Sequence, residues 1–416
     1  MNPVKKKLDK KMLTSPFVLQ LLVIMFLVEF VKGALLVTFL PVYLNDVLKA
    51  SVTVIGWTLA VQYIGDNLLR TPIGWLIDRI GYRTSMLIGV LSTLASVLII
   101  ASASSFGWII VSCALLGIGT APLWPCVITG ATEIAGEEGS GTVMSVVYMA
   151  WLSGVGLGPF VATYFIGSGY STAFKLYIGL MILVVIVALF LPGRKKQKEG
   201  LRRSRDSRRT ARLGLSRVQR MGLYLSEVRK SMNVSRIIFP AMFAQTFALG
   251  LLTPVLTLYA TRELHLTNGQ FRAFLIVGGG ITVLSMIPVG KLVDRWGIKW
   301  FLNAGLVISS AVLLVFTLVR SLPALYVLVA LLGLGYALII PSWNALLAKA
   351  IPKEKRGAVW GFFLTIEGLG TTIGPIVSGW LSDWINIRAS FIGSGVVLFL
   401  LLVMQWFIRF GKRAAV

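Results

Sequence analysis

Gly74-Trp-Leu-Ile-Asp-Arg-Ile-Gly-Tyr-Arg83 returns 216 positions later as Gly290-Lys-Leu-Val-Asp-Arg-Trp-Gly-Ile-Lys299. The same displacement carries Leu115-Leu-Gly-Ile-Gly119 onto Leu331-Leu-Gly-Leu-Gly335, Gly141 onto Gly357, and Gly158-Pro159 onto Gly374-Pro375. One constant displacement across four landmarks makes the chain two copies of one unit in the same orientation. In an apolar chain, parallel halves around a central site are a transporter architecture.

The chain is apolar. Of its 416 residues 56% are hydrophobic and 13% charged, whereas soluble domains are about 25% charged. Twelve stretches reach the roughly 20 residues that cross a bilayer. They are 16–41, 52–77, 84–104, 106–132, 140–166, 171–192, 235–261, 270–290, 300–319, 322–348, 357–382 and 387–409. The expected fold is an all-α membrane protein with twelve transmembrane helices in two six-helix bundles. The expected domains are residues 1–192, a linker at 193–234, and residues 235–416.

The net charge of +24 reflects topology rather than nucleic acid. About 30 of the 40 Lys and Arg lie in the N-terminus, alternate loops, the central linker and the C-terminus, and about six lie near the opposite face. The positive-inside rule puts both termini and the linker in the cytoplasm. The apolar stretch at the N-terminus is a full span without a small-residue cleavage site, so a multi-pass plasma-membrane location is expected. Cys113 and Cys126, 13 residues apart in one span, cannot bridge. His265 is the sole histidine. Nothing here makes a triad or a metal cluster, so neither catalysis nor a cofactor is expected.

Residues 194–230 carry 14 Lys and Arg against Glu199, Asp206 and Glu227. Such a run is too charged to pack. Beyond it Leu215, Val218, Met221, Leu225, Val228 and Met232 recur at helical spacing, with Arg217, Arg220 and Arg229 between them. That pattern fits an interfacial helix lying on anionic lipid. It fits equally a solvated tether between the halves.

Both copies of the repeated phrase fall on the cytoplasmic side, between the second and third spans of their half. Gly74 allows close helix approach. Asp78 and Asp294 can accept from helix N-termini or pair with arginine, while Arg79, Arg83 and Arg295 hold the membrane edge. Such charge pairs suit a gate. The phrase resembles the signature loop of the major facilitator superfamily, Gly-x-Leu-x-Asp-Arg-x-Gly-x-Arg/Lys, and the resemblance implies two six-helix bundles, a central cavity and alternating access. Gly154-x-Gly156-x-Gly158-Pro159, echoed by Gly368-x-Gly370-x-x-x-Gly374-Pro375, is similar to the glycine-proline pattern of proton-coupled antiporters in that superfamily. Close helix packing accounts for it equally well.

Charges at bilayer depth are costly and face a cavity or a partner. Glu29 and Lys32 share one face of the first span, and Asp66 and Arg70 one face of the second. At 1.5 Å per residue the acids lie about 20 and 18 Å from the cytoplasmic ends of their spans, at one level near the midplane. Internal ion pairs that lock helices are the structural alternative. The displacement of 216 turns Glu29 into Gln245, Lys32 into Ala248, Asp66 into Thr282 and Arg70 into Met286. The second half keeps Glu367 as its main deep acid. A charged half facing a more apolar half suits a substrate with a polar head and an apolar tail.

Trp124, Trp151, Trp343 and Trp360 lie within spans, where indole faces can stack on sugar rings or simply pack. Pro122-Leu-Trp124-Pro125 is expected to break the fourth span, and Pro341-Ser-Trp343-Asn344 the tenth. Phe26-Leu-Val-Glu-Phe-Val-Lys-Gly33, Tyr63-Ile-Gly-Asp66, Pro122-Leu-Trp124, Tyr148-Met-Ala-Trp151 and Pro341-Ser-Trp-Asn344 resemble the lipoteichoic acid glycolipid-anchor flippases of staphylococci. Lys32 stands where those proteins have Arg, and Asp78-Arg79 where they have lysines. The resemblance implies a proton-coupled flippase or exporter of a diglucosyl-diacylglycerol glycolipid, working as a monomer in a bacterial plasma membrane. By that resemblance Glu29, Lys32, Asp66, Trp124 and Trp151 fall in the headgroup pocket; the position of Trp343, Asn344 and Glu367 within spans adds them to the substrate-binding candidates, and the shared depth of the two acids makes Asp66 the first candidate for proton coupling and Glu29 the second. A proton-coupled multidrug antiporter would use the same charged and apolar halves. A sensing receptor would need a signalling module that the sequence does not show.

Overall fold

The computed structural model describes residues 15–103, 105–165, 170–192, 236–350 and 356–407. The linker at 193–234, with its amphipathic stretch, lies outside them, as do the side chains of Gly74, Asp78, Arg79, Asp294 and Trp360. The described secondary structure is entirely helical.

In the first half α1 (Pro16–Gly33) passes through a π-helical segment (Ala34–Phe39) into α2 (Leu40–Asp46). There follow α3 (Val52–Ile80), α4 (Tyr82–Ser102), α5 (Phe106–Thr120), α6 (Leu123–Ala162) and α7 (Tyr170–Leu189). In the second half come α8 (Ile238–Leu252), α9 (Leu256–Leu258) and a π segment (Tyr259–Glu263). Then follow α10 (Asn268–Trp296), α11 (Ile298–Phe316), α12 (Leu322–Ala350), α13 (Arg356–Trp384) and α14 (Arg388–Trp406). Among the described residues nine helical stretches are long and apolar enough to cross a membrane. The remaining expected spans coincide with α3, α6 and α13.

The described residues form two compact units. One holds 15–48 and 61–192, the other 49–60 together with 236–407. Within the first, α1 packs on α6 and α7, and α4 on α5 and α7. Within the second, α8 packs on α13 and α14, α12 on α10 and α11, and α11 on α14.

The repeat is visible in the backbone. Among the described residues the positive-φ positions are Lys49 (52°), Gly81 (88°), His265 (49°) and Gly297 (95°). Lys49 pairs with His265, and Gly81 with Gly297, across the 216-residue displacement. Gly81 and Gly297 turn the chain between successive helices inside the repeated phrase, a backbone conformation that costs glycine nothing.

The second repeated landmark has a packing role. A Cβ on Gly117 would run into the carbonyl oxygen of Gln62, and one on Gly333 into that of Gly278. A Cβ on Gly119 would stand 2.8 Å from the Gly89 oxygen, and one on Gly305 would stand 2.8 Å from the Gly335 oxygen. Each contact of the first half recurs in the second with both of its residues displaced by 216. Where side chains cannot fit, backbones come close, and that fixes the crossing of neighbouring helices.

Two local expectations are corrected. Pro341 does not break its helix, for α12 runs unbroken from Leu322 to Ala350 with Pro341 inside. Proline removes one backbone donor, and neighbouring helices and local adjustment absorb that loss inside a membrane bundle. The stretch 133–139, expected as a loop between the fourth and fifth spans, is helical within α6. It contains glutamate and alanine, both helix formers, and no proline. The break at Pro122 is present: α5 ends at Thr120 and α6 begins at Leu123.

Candidate functional site

In the first unit Glu29, Lys32, Asp66 and Arg70 form one cluster. Lys32 Nζ donates to Glu29 Oε1 at 2.7 Å and reaches Asp66 Oδ2 at 3.5 Å. Arg70 Nε donates to Asp66 Oδ1 at 3.2 Å, and its Nη2 to Oδ2 at 3.2 Å. Helical spacing sets the pairs within α1 and within α3. Only the tertiary fold sets Lys32 as the bridge between them. The centre is dry: Glu29 is 0% exposed, Asp66 2% and Lys32 9%.

The two carboxylates are not equivalent. Asp66 is held by two cations through both oxygens. Glu29 offers one oxygen to Lys32, while its Oε2 is buried with no hydrogen-bond partner among the described residues. A buried acceptor without a partner is costly. Of the two carboxylates, Glu29 is the one with an oxygen able to take a proton or a further hydrogen bond.

Sequence reading passed over Gln62. It lies one helical turn before Asp66 and is fully buried. Its Nε2 donates to Thr120 Oγ1 at 3.4 Å, and its Oε1 has no partner among the described residues. A polar amide on a buried helix face was the available signal.

Glycines bring the neighbouring helix to this cluster. A Cβ on Gly154 would lie 2.6 Å from the Phe26 oxygen and 3.2 Å from the Glu29 Cβ. A Cβ on Gly158 would overlap the Phe30 carbonyl oxygen and lie 2.9 Å from the Ala34 nitrogen. Gly33 in turn sits 3.0 Å from the Val155 oxygen by the same measure. Gly156 meets nothing within 4 Å. In the second unit Gly374 is pressed on Gly250 in the same manner. The glycine-proline pattern therefore has a packing function at Gly154, Gly158 and Gly374.

One turn before Gly154, Trp151 joins an aromatic group on α6. Its ring centroid is 5.8 Å from Trp124 and 6.1 Å from Tyr148, and Trp124 is 5.4 Å from Tyr148. All three are half-buried. Tyr148 is the member that the sequence-derived site omits. In the second unit the Trp343 ring is buried, 3% exposed, and its Nε1 donates to Glu367 Oε1 at 3.3 Å. Trp343 thus holds a half-buried carboxylate by its indole edge. Asn344 beside it is half-buried. The second unit has Gln245 and Thr282 where the first has Glu29 and Asp66. Thr282 Oγ1 donates to the Gly278 and Gly333 oxygens at 2.8 and 3.0 Å, so it serves helix packing.

At the edge of the repeated loops Arg83 and Arg295 are exposed. Cys113 and Cys126 are free and buried.

A model of the Major Facilitator Superfamily matches residues 21–236 and 238–415. A protein of Staphylococcus saprophyticus named proton-coupled antiporter flippase LtaA is 27% identical over 397 residues, 94% of each chain. The protein of that name from Staphylococcus aureus strain USA300 is 25% identical over 394 residues, 92% of each chain. Among solved structures, the nucleoside transporter NupG superposes with a TM-score of 0.70 at 17% identity, covering 94% of this chain and 99% of that one. The human organic anion transporter MFSD10 (TETRAN) gives 0.64 at 17%, covering 94% and 98%. At that identity the structures speak for the fold.

Proposed function

The chain belongs to the Major Facilitator Superfamily, and from that premise we propose that it is a proton-coupled secondary transporter that flips or exports a glycolipid. The substrate class we infer is a sugar-headed diacylglycerol of the diglucosyl type, carried across a bacterial plasma membrane. The relatives named proton-coupled antiporter flippases support this reading along nearly their whole length.

One observation carries it: Lys32 bridges Glu29 and Asp66 in a buried site, and one Glu29 oxygen has no hydrogen-bond partner among the described residues. A locking ion pair would satisfy both partners. Here an acceptor stays open at bilayer depth, where protonation or a sugar hydroxyl would satisfy it. A substrate hydroxyl that donates to Glu29 Oε2 needs the ionised carboxylate, whereas a proton on Glu29 removes that acceptor and releases Lys32. When the proton leaves, Lys32 returns. This exchange links substrate and proton occupancy in opposite senses, as antiport requires.

The half-buried rings of Trp124, Tyr148 and Trp151, on the helix that packs against Glu29, would offer faces to a sugar headgroup. Within the second unit, Trp343, Asn344 and Glu367 are the corresponding candidates for substrate contact. The basic linker would rest on anionic lipid on the cytoplasmic side.

The test uses purified protein in proteoliposomes carrying a fluorescent diglucosyl-diacylglycerol, with and without an imposed pH gradient. Wild type should accelerate flipping when the gradient is applied. Glu29→Gln should flip at a rate indifferent to the gradient. Asp66→Asn, which frees Lys32 and Arg70, should lower the rate at every gradient. Full gradient response in both variants would sink the coupling role of the cluster, and no flipping by wild type would sink the substrate class.

A further inference from the structure

The sequence puts about six basic residues near the outer face, and four of them are arginines of the second half: Arg262, Arg272, Arg320 and Arg388. Calling that face outer rests on the alternate-loop charge, which leaves few cations on that side. A concentration of arginine there needs a cause.

Two of these arginines converge on one carboxylate, at one end of the second unit. Glu263 closes the π segment after α9, Arg320 lies between α11 and α12, and Arg388 opens α14. Arg388 donates to Glu263 Oε2 through Nε at 3.1 Å and Nη2 at 3.0 Å. Arg320 Nη1 donates to the Glu263 backbone oxygen at 3.4 Å, and its Nη2 stands 3.9 Å from the same Oε2. The three side chains together carry a net positive charge. Both arginines also sit beside helix N-termini, those of α12 and α14, where the dipole disfavours a cation and favours an anion. One carboxylate does not settle that balance. The hydrogen bonds engage two donors of Arg388 and one of Arg320, out of five on each guanidinium.

A second, independent sign is Tyr259, four residues before Glu263. It is 1% exposed, and its hydroxyl has no hydrogen-bond partner among the described residues. A buried tyrosine hydroxyl ordinarily finds one. The charged groups that act on it are Arg320, Arg388 and Glu263. Its ring is fixed by Phe391 and Phe316, with centroids 4.5 and 5.9 Å away. The hydroxyl is therefore a fixed donor next to the two arginines.

The chain flanking these cations is apolar and exposed. Leu318 precedes Arg320 by two residues, and Trp384 and Ile385 come just before Arg388; all three are exposed. Trp384 pairs with Trp380, ring centroids 4.6 Å apart. Exposed tryptophan marks the headgroup level of a bilayer. A phosphate met at that depth, among exposed apolar side chains, belongs to a lipid rather than to a solute.

We propose that Arg320, Arg388 and the Tyr259 hydroxyl form a binding site for the phosphodiester of an anionic phospholipid in the outer leaflet. The guanidiniums supply charge-assisted donors to the phosphate oxygens. The tyrosine supplies one more donor from below the surface, and Glu263 orients both arginines through a single shared oxygen. The bound phosphate offsets the excess charge at the two helix ends.

The experiment measures no transport, so its failure is separate from that of the transport reading. Delipidated protein in detergent is titrated with phosphatidylglycerol or with zwitterionic phosphatidylcholine, and native mass spectrometry reads the bound lipid. The basic linker is the same in every variant, so lipid held there cancels in the comparison. Tyr259→Phe, which removes only the hydroxyl, and Arg388→Gln should each weaken the tightest-bound phosphatidylglycerol by about tenfold, the effect of losing a hydrogen bond to a charged group. Phosphatidylcholine should be retained as in wild type. If Arg388→Gln does not fold, Tyr259→Phe alone decides. Unchanged retention of phosphatidylglycerol by folded Tyr259→Phe overturns the site, and equal losses for both lipids overturn its selection of an anionic headgroup. Displacement of the lipid by millimolar glycerol phosphate overturns the lipid assignment in favour of a soluble phosphate ester.

Discussion

Lys32 Nζ stands 2.7 Å from Glu29 Oε1 and 3.5 Å from Asp66 Oδ2, one ammonium shared by two buried acids on different helices. With Arg70 on Asp66 at 3.2 Å, two cations face two carboxylates and the cluster is neutral only as a set. Removing one member leaves an uncompensated charge in a medium that does not tolerate it.

Lys32→Met should therefore destabilise the protein by about 3–5 kcal/mol, the typical cost of breaking a buried pair. Thermal unfolding in detergent measures it. The double variant Lys32→Met with Glu29→Gln restores neutrality and should recover most of the lost stability while remaining unresponsive to a pH gradient. If the double variant is no more stable than the single one, the cluster is not electrostatically coupled as described.

The glycine pattern of α6 makes a prediction with an internal control. Gly158→Ala places a methyl group where the Phe30 oxygen already lies, and overpacking of this kind costs about 1–3 kcal/mol. Gly156, two residues away, has nothing within 4 Å, so Gly156→Ala should match wild type or gain about 0.5–1 kcal/mol from helix propensity. Equal losses in both would mean that the pattern matters for something other than packing.

Trp124→Ala and Trp151→Ala should each weaken transport of a sugar-headed lipid by about 0.5–1.5 kcal/mol of lost aromatic interaction beyond area effects, with expression near normal. Competition by soluble disaccharide, measured as inhibition of flipping, separates sugar stacking from helix packing. If both variants keep the wild-type sensitivity to disaccharide, the aromatic group serves packing.

The orientation of the chain is checked at Ser207, within the basic linker. Ser207→Cys should react in intact cells only with reagents that enter the cytoplasm, because alternate-loop charge places the linker inside. Labelling by an impermeant maleimide would reverse the topology.

The sequence by itself determined the architecture. A constant 216-residue displacement and twelve apolar stretches are one-dimensional signals, because membrane helices satisfy their own backbone and announce themselves by length and hydropathy alone. Helical spacing alone likewise pairs Glu29 with Lys32 and Asp66 with Arg70. The tertiary structure decided what periodicity cannot carry. Lys32 bridges α1 and α3, Glu29 Oε2 is left open, Gln62 joins the buried group, and Asp383 caps a helix 330 residues before it. Each depends on which face of one helix meets another, a question that local spacing leaves undetermined. Glycine settles it here: at Gly117, Gly154, Gly158 and Gly379 the absent side chain lets two backbones approach, and the polar groups beside them acquire partners that no sequence pattern pairs.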